Sequence, residues 1–230
     1  MAIAIIASII LVFVLLIYLE VRNKRLLQTV TNTNRGTNSE RNLVLRLLKL
    51  GTPAVTIFHD LYIKNPNGKF TQIDLAVATK VGLIIFEVKD YSGWIYGTGY
   101  REKWTQVLTY GRNKYRFYNP VLQNKKHIED IRKQSSQFQN LPFFSVIVFY
   151  GNSEFKDVSF IPKGTYLIKP HRIRRVLKTI LNENPPAKYT NKNEVVGILK
   201  AAVENSNSTK TQTQHIKNIE NMLGNHRIFE

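Results

Sequence analysis

The chain begins with a long apolar run, and this run limits how its first part can fold. Residues 2–19 are apolar apart from Ser8 and the terminal Tyr18. As a helix the run would measure about 27 Å, close to the thickness of one bilayer core. Glu20 ends the run, and the basic residues that follow it are Arg22, Lys24 and Arg25. The apolar run therefore predicts a membrane-spanning helix, and any water-soluble domain is expected after residue 20.

A cleaved signal peptide is the alternative to a retained anchor. Signal peptides carry a positive region before the apolar stretch and small residues at the cleavage site. Nothing basic precedes Ala2 here, and residues 17–19 are bulky. We therefore expect a single-pass anchor at residues 1–20. Because the positive charge follows the span, the positive-inside rule places residues 21–230 in the cytoplasm.

Composition limits the functions of the remainder. The 230-residue chain has 33 Lys and Arg against 16 Asp and Glu, a net charge of +17. Such a basic chain suits a polyanionic partner, either nucleic acid or an anionic membrane face. The 43% share of hydrophobic residues excludes global disorder. The absence of cysteine excludes disulfides, zinc ribbons, iron–sulfur sites and thiol nucleophiles.

Helical and strand patterns follow one another in the middle of the chain. Residues 40–50 have helical apolar spacing and come after a capping-box pattern at residues 37–40. Residues 82–88 and 143–150 are nearly continuous apolar runs, as in central strands. This order predicts an α/β domain at residues 36–182, with a mixed sheet flanked by helices.

Two segments flank this predicted domain. Residues 21–35 are rich in Thr and Asn without apolar periodicity, which predicts a juxtamembrane linker. Residues 183–230 begin with a stretch that contains Pro185 and Pro186. They predict a linker and a short helical tail, with helices near residues 194–203 and 215–223.

Acidic side chains within apolar strands are the first indication of chemistry. Asp74 interrupts one such strand, and Glu87 and Lys89 lie in another. Side chains alternate along a strand, so Glu87 and Lys89 point to the same face. A buried carboxylate is costly unless a cation compensates it, and here either Lys89 or a bound metal does so. Asp74 and Glu87 together can hold Mg²⁺, with Glu40 as a third carboxylate.

Each of these residues also has a purely structural interpretation. Glu87 and Lys89 can form an ordinary ion pair on an exposed strand edge. Asp74 can be a carboxylate at a strand end or turn, and the capping box alone explains Glu40. The combination of Asp74, a hairpin-sized gap and Glu87-x-Lys89 is more specific than any of its parts.

Four short motifs occur in order over residues 36–150. They are Gly36-Thr37-Asn38-Ser39-Glu40, Gln72-Ile73-Asp74, Glu87-Val88-Lys89 with Gly93, and Asn119-Pro120 with Gln123. In type, order and spacing they resemble the motifs of the nuclease-related domain (NERD) family, a branch of the PD-(D/E)xK nuclease superfamily. One feature departs from that pattern: the family usually has Gly directly before the Glu, whereas Ser39 precedes Glu40 here.

The resemblance implies a restriction-endonuclease-like core and metal-dependent cleavage of phosphodiester bonds. It implies that Asp74 and Glu87 bind Mg²⁺ or Mn²⁺ and that Lys89 is the catalytic lysine. It also implies that Glu40 and Gln123 lie in the active site.

Basic and aromatic residues are interleaved over residues 101–133. Cations beside stacking rings suit a nucleic-acid track, although a solvated basic face above aromatic core residues has the same composition. The residues that we expect to contact nucleic acid are Lys114, Tyr115, Arg116, Lys125 and Lys126. A second basic block at residues 163–178 suits nucleic acid and anionic lipid equally.

These features predict a membrane-anchored, nuclease-like protein that hydrolyses nucleic acid on the cytoplasmic side, with DNA favoured over RNA. A catalytically inactive nucleic-acid-binding membrane tether is one alternative. A membrane-associated scaffold with a lipid-facing basic surface is another. The carboxylates favour the enzyme, because a pure binder needs no acids in a basic groove. The five histidines have no ligand spacing and predict surface or core roles only.

Overall fold

The computed structural model describes residues 1–65, 67–108, 111–206 and 213. The short helix expected at residues 215–223 lies outside the described residues. The helices are α1 Ala2–Gln28, α2 Asn38–Lys49, α3 Pro120–Arg132, α4 Ile173–Glu183 and α5 Lys192–Asn205. The strands are β1 Ile57–Lys64, β2 Phe70–Thr79, β3 Gly82–Asp90, β4 Gly93–Thr98, β5 Lys103–Leu108, β6 Asn113–Tyr118, β7 Phe143–Tyr150, β8 Ser153–Ser159 and β9 Thr165–Ile168.

The strands form two mixed sheets flanked by helices, which confirms the α/β class. The first sheet has the order β1-β2-β3-β7-β9 and the second has the order β6-β5-β4-β8. In the first sheet β1, β2 and β3 are antiparallel neighbours, whereas β3, β7 and β9 are parallel. The sequence predicted one mixed sheet. The second sheet went unrecognised because its strands carry few continuous apolar residues; β6 in particular is exposed along most of its length.

The first sheet is covered on both faces. Residues 82–86 of β3 are fully buried, as expected of a central strand. One face packs against α2 and α4, and the other packs against α3 and α5. Leu43, Val44 and Leu47 form the buried stripe of α2, at the helical spacing that the sequence predicted.

The ordered structure extends further than expected at both ends of the predicted domain. Helix α1 continues through Gln28, so the first half of the expected linker at residues 21–35 is helical. Leu27 is buried against α2 and ties the end of α1 to the core. Helix α5 lies beyond residue 182 but packs on the first sheet, because Val195, Leu199 and Ala202 form an apolar stripe. Residues 192–205 are therefore part of the core.

The apolar part of α1 packs against no other part of the described chain. Residues Ile3–Gln28 are long and apolar enough to cross a bilayer, with a mean hydropathy of 2.9 over an 18-residue window. A signal sequence near an amino terminus has the same length and composition.

Candidate active site

The site lies where the β2–β3 ladder ends. The last paired residues of this ladder are Leu75 and Phe86. Beyond them, an oxygen of the Asp74 carboxylate accepts a hydrogen bond of 2.7 Å from the backbone N–H of Val88. Asp74 thus replaces a backbone acceptor, and its carboxylate lies beside β3 at the position of Glu87. The two acids predicted from the sequence are adjacent in the fold.

Lys89 joins β3 to α3. Its Nζ donates to Glu87 Oε1 at 2.5 Å and to Gln123 Oε1 at 3.0 Å. The Glu87 side chain is 1% exposed and the Lys89 side chain is 17% exposed, so the ammonium lies between the interior and the surface. Asn119 brings Gln123 into place, because it caps the first turn of α3 with its side chain and Pro120 begins the helix.

The electrostatics of these groups are unequal. Burial raises the pKa of Asp74 well above its usual range, and the neighbouring Glu87 and Glu40 carboxylates raise it further. Burial also acts to raise the pKa of Glu87, but Lys89 and His127 outweigh it and leave that pKa lowered. Burial acts to lower the pKa of Lys89, yet the two acids raise it overall. The metal-free cluster therefore favours ionised Glu87, charged Lys89 and protonated Asp74.

Glu40 reaches the same cluster from α2 and also caps that helix. Its backbone N–H donates to Thr37 Oγ1 at 3.2 Å, and Thr37 Oγ1 donates to Glu40 Oε1 at 2.8 Å. Its Oε2 lies 3.3 Å from His59 Nε2. Burial acts to raise the pKa of Glu40, but hydrogen bonds from His59 and Thr37 leave it lowered. The capping and site roles of Glu40 coexist in one geometry.

Gly36 shows why the first motif tolerates its unusual spacing. Its φ is +63°, and a Cβ at this position would lie 2.4 Å from Glu40 Oε2 and 2.7 Å from His59 Nε2. The loop therefore passes against the carboxylate with no room for a side chain. A glycine meets this requirement four residues before Glu40, although Ser39 directly precedes the acid.

Two buried histidines beside the acids were missed by sequence reasoning. His59 bridges Glu40 and Thr31, with 2.8 Å between Thr31 Oγ1 and His59 Nδ1. His127 Nε2 lies 3.2 Å from Glu87 Oε2, although neither atom has a hydrogen-bond partner with good alignment among the described residues. Only the four-residue spacing from Gln123 to His127 on one helix could have indicated the second contact.

Comparison with known proteins identifies the family. The family model described as "Nuclease-related domain" (NERD) matches residues 35–150, half of the 230-residue chain. The chain belongs to the NERD family. An uncharacterized protein of Bacillus anthracis is 30% identical over 145 residues, a match that covers 63% of this chain and 66% of that relative. No solved structure matches the chain. NERD membership indicates a nuclease-like function, and nuclease-like domains use divalent metals and bind nucleic acid.

The donor set of this NERD domain fits a small divalent cation. Asp74 and Glu87 supply adjacent carboxylates, and Glu87 Oε2 is a buried acceptor without an aligned donor in the described chain. Mg²⁺ is commonly held by one or two carboxylates while it keeps several waters. The described residues contain no group of three or more His, Cys, Asp or Glu side chains arranged around a metal. The fit is therefore to a cation that remains mostly hydrated.

The basic residues expected to contact nucleic acid lie outside the acidic cluster. Lys114, Tyr115 and Arg116 are exposed on β6, an edge strand of the second sheet. Lys125 and Lys126 are exposed on α3, which also carries Gln123. The basic side chains thus lie on β6 and on α3, which follows β6 in the chain and carries the Gln123 side chain that contacts Lys89.

Proposed function

We propose that this NERD protein hydrolyses phosphodiester bonds of nucleic acid with the help of Mg²⁺ or Mn²⁺, and that DNA is its main substrate. The observation that carries the proposal is the geometry at the end of the β2–β3 ladder, where Lys89 is bonded to Glu87 and Gln123 and the Asp74 carboxylate is bonded to the backbone of Val88. Acids and a lysine from α2, β2 and β3 meet in one basic protein. A domain that only bound nucleic acid would gain nothing from them.

Asp74 and Glu87 are the residues that would hold the cation. A bound divalent cation polarises a phosphoryl oxygen, lowers the pKa of a coordinated water and offsets transition-state charge. Glu87 needs no proton loss to take part, because its pKa is already lowered. A bound cation would favour the ionised form of Asp74 and so act against its raised pKa.

Lys89 has the position of a charge-stabilising group. Glu87 and Gln123 hold its ammonium by two hydrogen bonds, so its direction is set before substrate binds. A fixed ammonium at this place stabilises negative charge that develops on a phosphate without reorganisation of the protein. Burial and the Glu87 carboxylate are the main causes of the raised pKa of Asp74, and the Glu40 carboxylate adds to them.

The exposed basic residues extend this site toward the rest of the substrate. In the proposal Lys114, Arg116, Lys125 and Lys126 contact backbone phosphates, and Tyr115 stacks on a base. Tyr115 has 54% of its surface exposed, which leaves its ring accessible. Such contacts are independent of sequence and weaken steeply with added salt.

We further propose that α1 is a retained anchor. Its apolar first part crosses the bilayer, and Arg22, Lys24 and Arg25 mark the cytoplasmic side. The core at residues 36–182, with α5, then faces the cytoplasm, close to the membrane because Leu27 ties the helix to α2. Basic residues near the surface would also meet anionic lipid headgroups.

One cleavage experiment tests the enzymatic part of the proposal. The full-length chain in neutral detergent micelles is incubated with duplex DNA, single-stranded DNA and RNA, in Mg²⁺, Mn²⁺ or EDTA. Cleavage in divalent metal is expected, together with its loss in EDTA. A Lys80→Ala variant is the matched control, because Lys80 is an exposed lysine at the opposite end of the same strand pair. Salt-sensitive binding without cleavage in any metal would leave only the membrane tether.

A further inference from the structure

A basic groove lies outside the catalytic cluster, between α2 and the start of α4. Its volume is about 630 Å³. The polar side chains that line it are those of Asn42, Arg46, Lys49, Tyr150, His171 and Arg174. Among the described residues that form its wall there is no carboxylate. The groove is therefore suited to an anion.

Arg46 is already oriented within this groove. One nitrogen of its guanidinium donates to the carbonyl oxygen of Pro170 at 2.7 Å. This bond fixes the plane of the guanidinium and leaves its other N–H groups free to bind a second acceptor. Arg174 approaches from the first turn of α4, so two separate helices supply the positive charge.

The Tyr150 hydroxyl is the second observation that points to a ligand. Its oxygen is buried and has no hydrogen-bond partner in the described part of the chain. A buried polar group without a partner is costly, which indicates that an acceptor belongs there. Burial raises the pKa of Tyr150 to about 12, with a smaller opposing effect of Arg46. The phenol is therefore a donor at neutral pH.

We propose that this groove binds a phosphate of the nucleic-acid strand that the active site cleaves. The proposal rests on the proposed function in so far as the substrate is nucleic acid. Arg46 and Arg174 neutralise the phosphate, and the Tyr150 hydroxyl donates a hydrogen bond to one of its oxygens. Because these contacts involve only a phosphate, they hold the strand without reading its bases.

The position of the groove relative to the catalytic cluster supports a nucleic-acid strand. Helix α2 carries Glu40 at its start and Arg46 six residues later, a separation of about 9 Å along its axis. Tyr150 pairs with Asp90, the residue after Lys89, at the carboxyl ends of β7 and β3. The Tyr150 side chain lies on the α2 face of the sheet and the Lys89 side chain lies on the α3 face, so a nucleic-acid strand would pass over the carboxyl ends of β3 and β7 to reach both.

Asp90 is the acidic group nearest to this hydroxyl in the ladder, and the three positive charges of Arg46, Lys49 and Arg174 in the groove outweigh its single negative charge. Its carboxylate accepts a hydrogen bond of 2.5 Å from Ser39 Oγ at the start of α2. Asp90 is therefore occupied by α2. It raises the pKa of Tyr150 and so keeps the phenol in its donor form.

Anionic lipid is the competing source of phosphate. In α1, residues 20–28 separate the apolar part from the buried end of the helix by about 13 Å. The groove lies partly on α2, against which the end of α1 packs, so an anionic lipid headgroup is within reach of the same face. The ladder contact between Asp90 and Tyr150 places the groove at the ends of the strands that carry Glu87 and Lys89, and a nucleic-acid strand would engage both places, whereas a lipid headgroup would engage the groove alone. The observations therefore favour the nucleic-acid strand, and lipid is an outcome of the test.

Binding in the absence of metal tests the proposal separately from cleavage. In buffer with EDTA, the full-length chain in neutral micelles is titrated into a fluorescent single-stranded DNA oligonucleotide. Binding is followed by the fluorescence anisotropy of the oligonucleotide. Tyr150→Phe and Arg174→Gln are each expected to weaken binding by about tenfold. Lys200→Gln is the matched control, because Lys200 is an exposed cation on α5 that lies outside both the groove and the basic block at residues 163–178. Its effect is expected to remain within about twofold.

A second titration replaces the oligonucleotide with the anionic lipid phosphatidylglycerol, supplied in mixed micelles, and measures lipid binding by the same variants. Unchanged DNA binding in Tyr150→Phe and Arg174→Gln overturns the proposal, and so does a loss of lipid binding alone. Tyr150→Phe removes an unpartnered buried hydroxyl, so its thermal unfolding temperature should equal or exceed that of the parent chain, which excludes misfolding. Weakened DNA binding in a chain that cleaves nothing would support the groove while rejecting the hydrolase.

Discussion

The acidic cluster of Glu40, Asp74, Glu87 and Lys89 has two sides that differ in how completely their polar groups are paired. On the α2 side, Glu40 is bonded to Thr37 and lies beside His59, which in turn contacts Thr31. On the α3 side, Glu87 Oε2 and both ring nitrogens of His127 have no aligned partner in the described chain. Each side contains one acid and one buried histidine; the α2 pair has aligned hydrogen bonds, whereas the α3 pair lies 3.2 Å apart without an aligned hydrogen bond.

This difference indicates a division of roles. A saturated hydrogen-bond network makes a rigid structural unit, whereas free buried acceptors are unfavourable unless a ligand or water satisfies them. We therefore expect the α2 side to hold the loop, helix and strand together, and the α3 side to bind. Substitutions on the two sides should separate stability from activity.

The largest expected effect is the loss of cleavage when the α3 side is changed. Lys89→Ala removes the ammonium fixed between Glu87 and Gln123, and Glu87→Gln removes the charge that pairs with it. Each should lower the rate of metal-dependent cleavage by about 10²–10³-fold. Steady-state cleavage rates of the two variants, set against Lys80→Ala, measure this. Rates equal to the parent chain would remove both residues from the mechanism.

The next effect is on folding and arises on the α2 side. In Gly36→Ala the new Cβ meets Glu40 Oε2 and His59 Nε2 at a backbone φ of +63°. The free energy of unfolding should fall by about 2–4 kcal/mol, from strain together with the displaced pair. Denaturant titration of the full-length chain measures this.

Gly68→Ala is the control for that measurement. Gly68 has a φ of +78°, and a Cβ there would meet nothing within 4 Å. It therefore reports the backbone cost alone, about 1 kcal/mol. If both variants lost the same stability, close packing of Gly36 against Glu40 would be contradicted.

The two histidines should then differ in which property they change. His59→Gln breaks a buried bridge between Thr31 and Glu40 and should cost about 1–3 kcal/mol of stability. His127→Gln changes a contact that lacks an aligned hydrogen bond. It should lower the free energy of unfolding less than His59→Gln does, and it should lower the cleavage rate more. Unfolding free energies and cleavage rates of both variants form the comparison, and a reversed order would contradict the division between the two sides.

The smallest expected effect is a pH dependence that comes from Asp74. The pKa of Asp74 is raised in the folded, metal-free chain. The contribution of Asp74 to the free energy of unfolding therefore falls as pH rises from the unfolded-state pKa of 3.8 toward the folded-state pKa. Glu40 and Glu87 have the opposite sign, since their pKa values are lowered from 4.5 and their contribution is lost as pH falls.

The comparison of parent chain with Asp74→Asn isolates the Asp74 contribution. The variant should become relatively more stable as pH increases, by about 1.4 kcal/mol for each unit of pKa shift removed. Thermal or denaturant unfolding in EDTA across pH 4–8 measures it. A stability difference that does not vary with pH would contradict the raised pKa.

The acidic cluster could be predicted from sequence because its spacing follows from strand geometry. Asp74 and Glu87 flank a hairpin, and Glu87 and Lys89 share a face by alternation, so local rules bring them together. Glu40 was predicted both as a third carboxylate from the first helix and through the first family motif, whereas Gln123 was predicted through its family motif alone. Their contacts are consistent with those motifs, while their roles remain proposals.

The histidines could not be predicted, because their partners are distant in sequence. His59 lies 19 residues from Glu40 and contacts it only through the packing of α2 on the first sheet. Helix α5 was assigned to a tail because Pro185 and Pro186 looked like the start of a linker. The apolar stripe of α5 packs on the first sheet, a contact between segments that are distant in sequence.

The central claim is that Asp74 and Glu87 hold one divalent cation, and Mn²⁺ binding measures it most directly. Electron paramagnetic resonance of the full-length chain titrated with Mn²⁺ should show about one bound ion per chain. Asp74→Asn and Glu87→Gln should abolish this site, whereas His59→Gln should retain it. Equal Mn²⁺ binding in the parent chain and in Asp74→Asn would contradict the account.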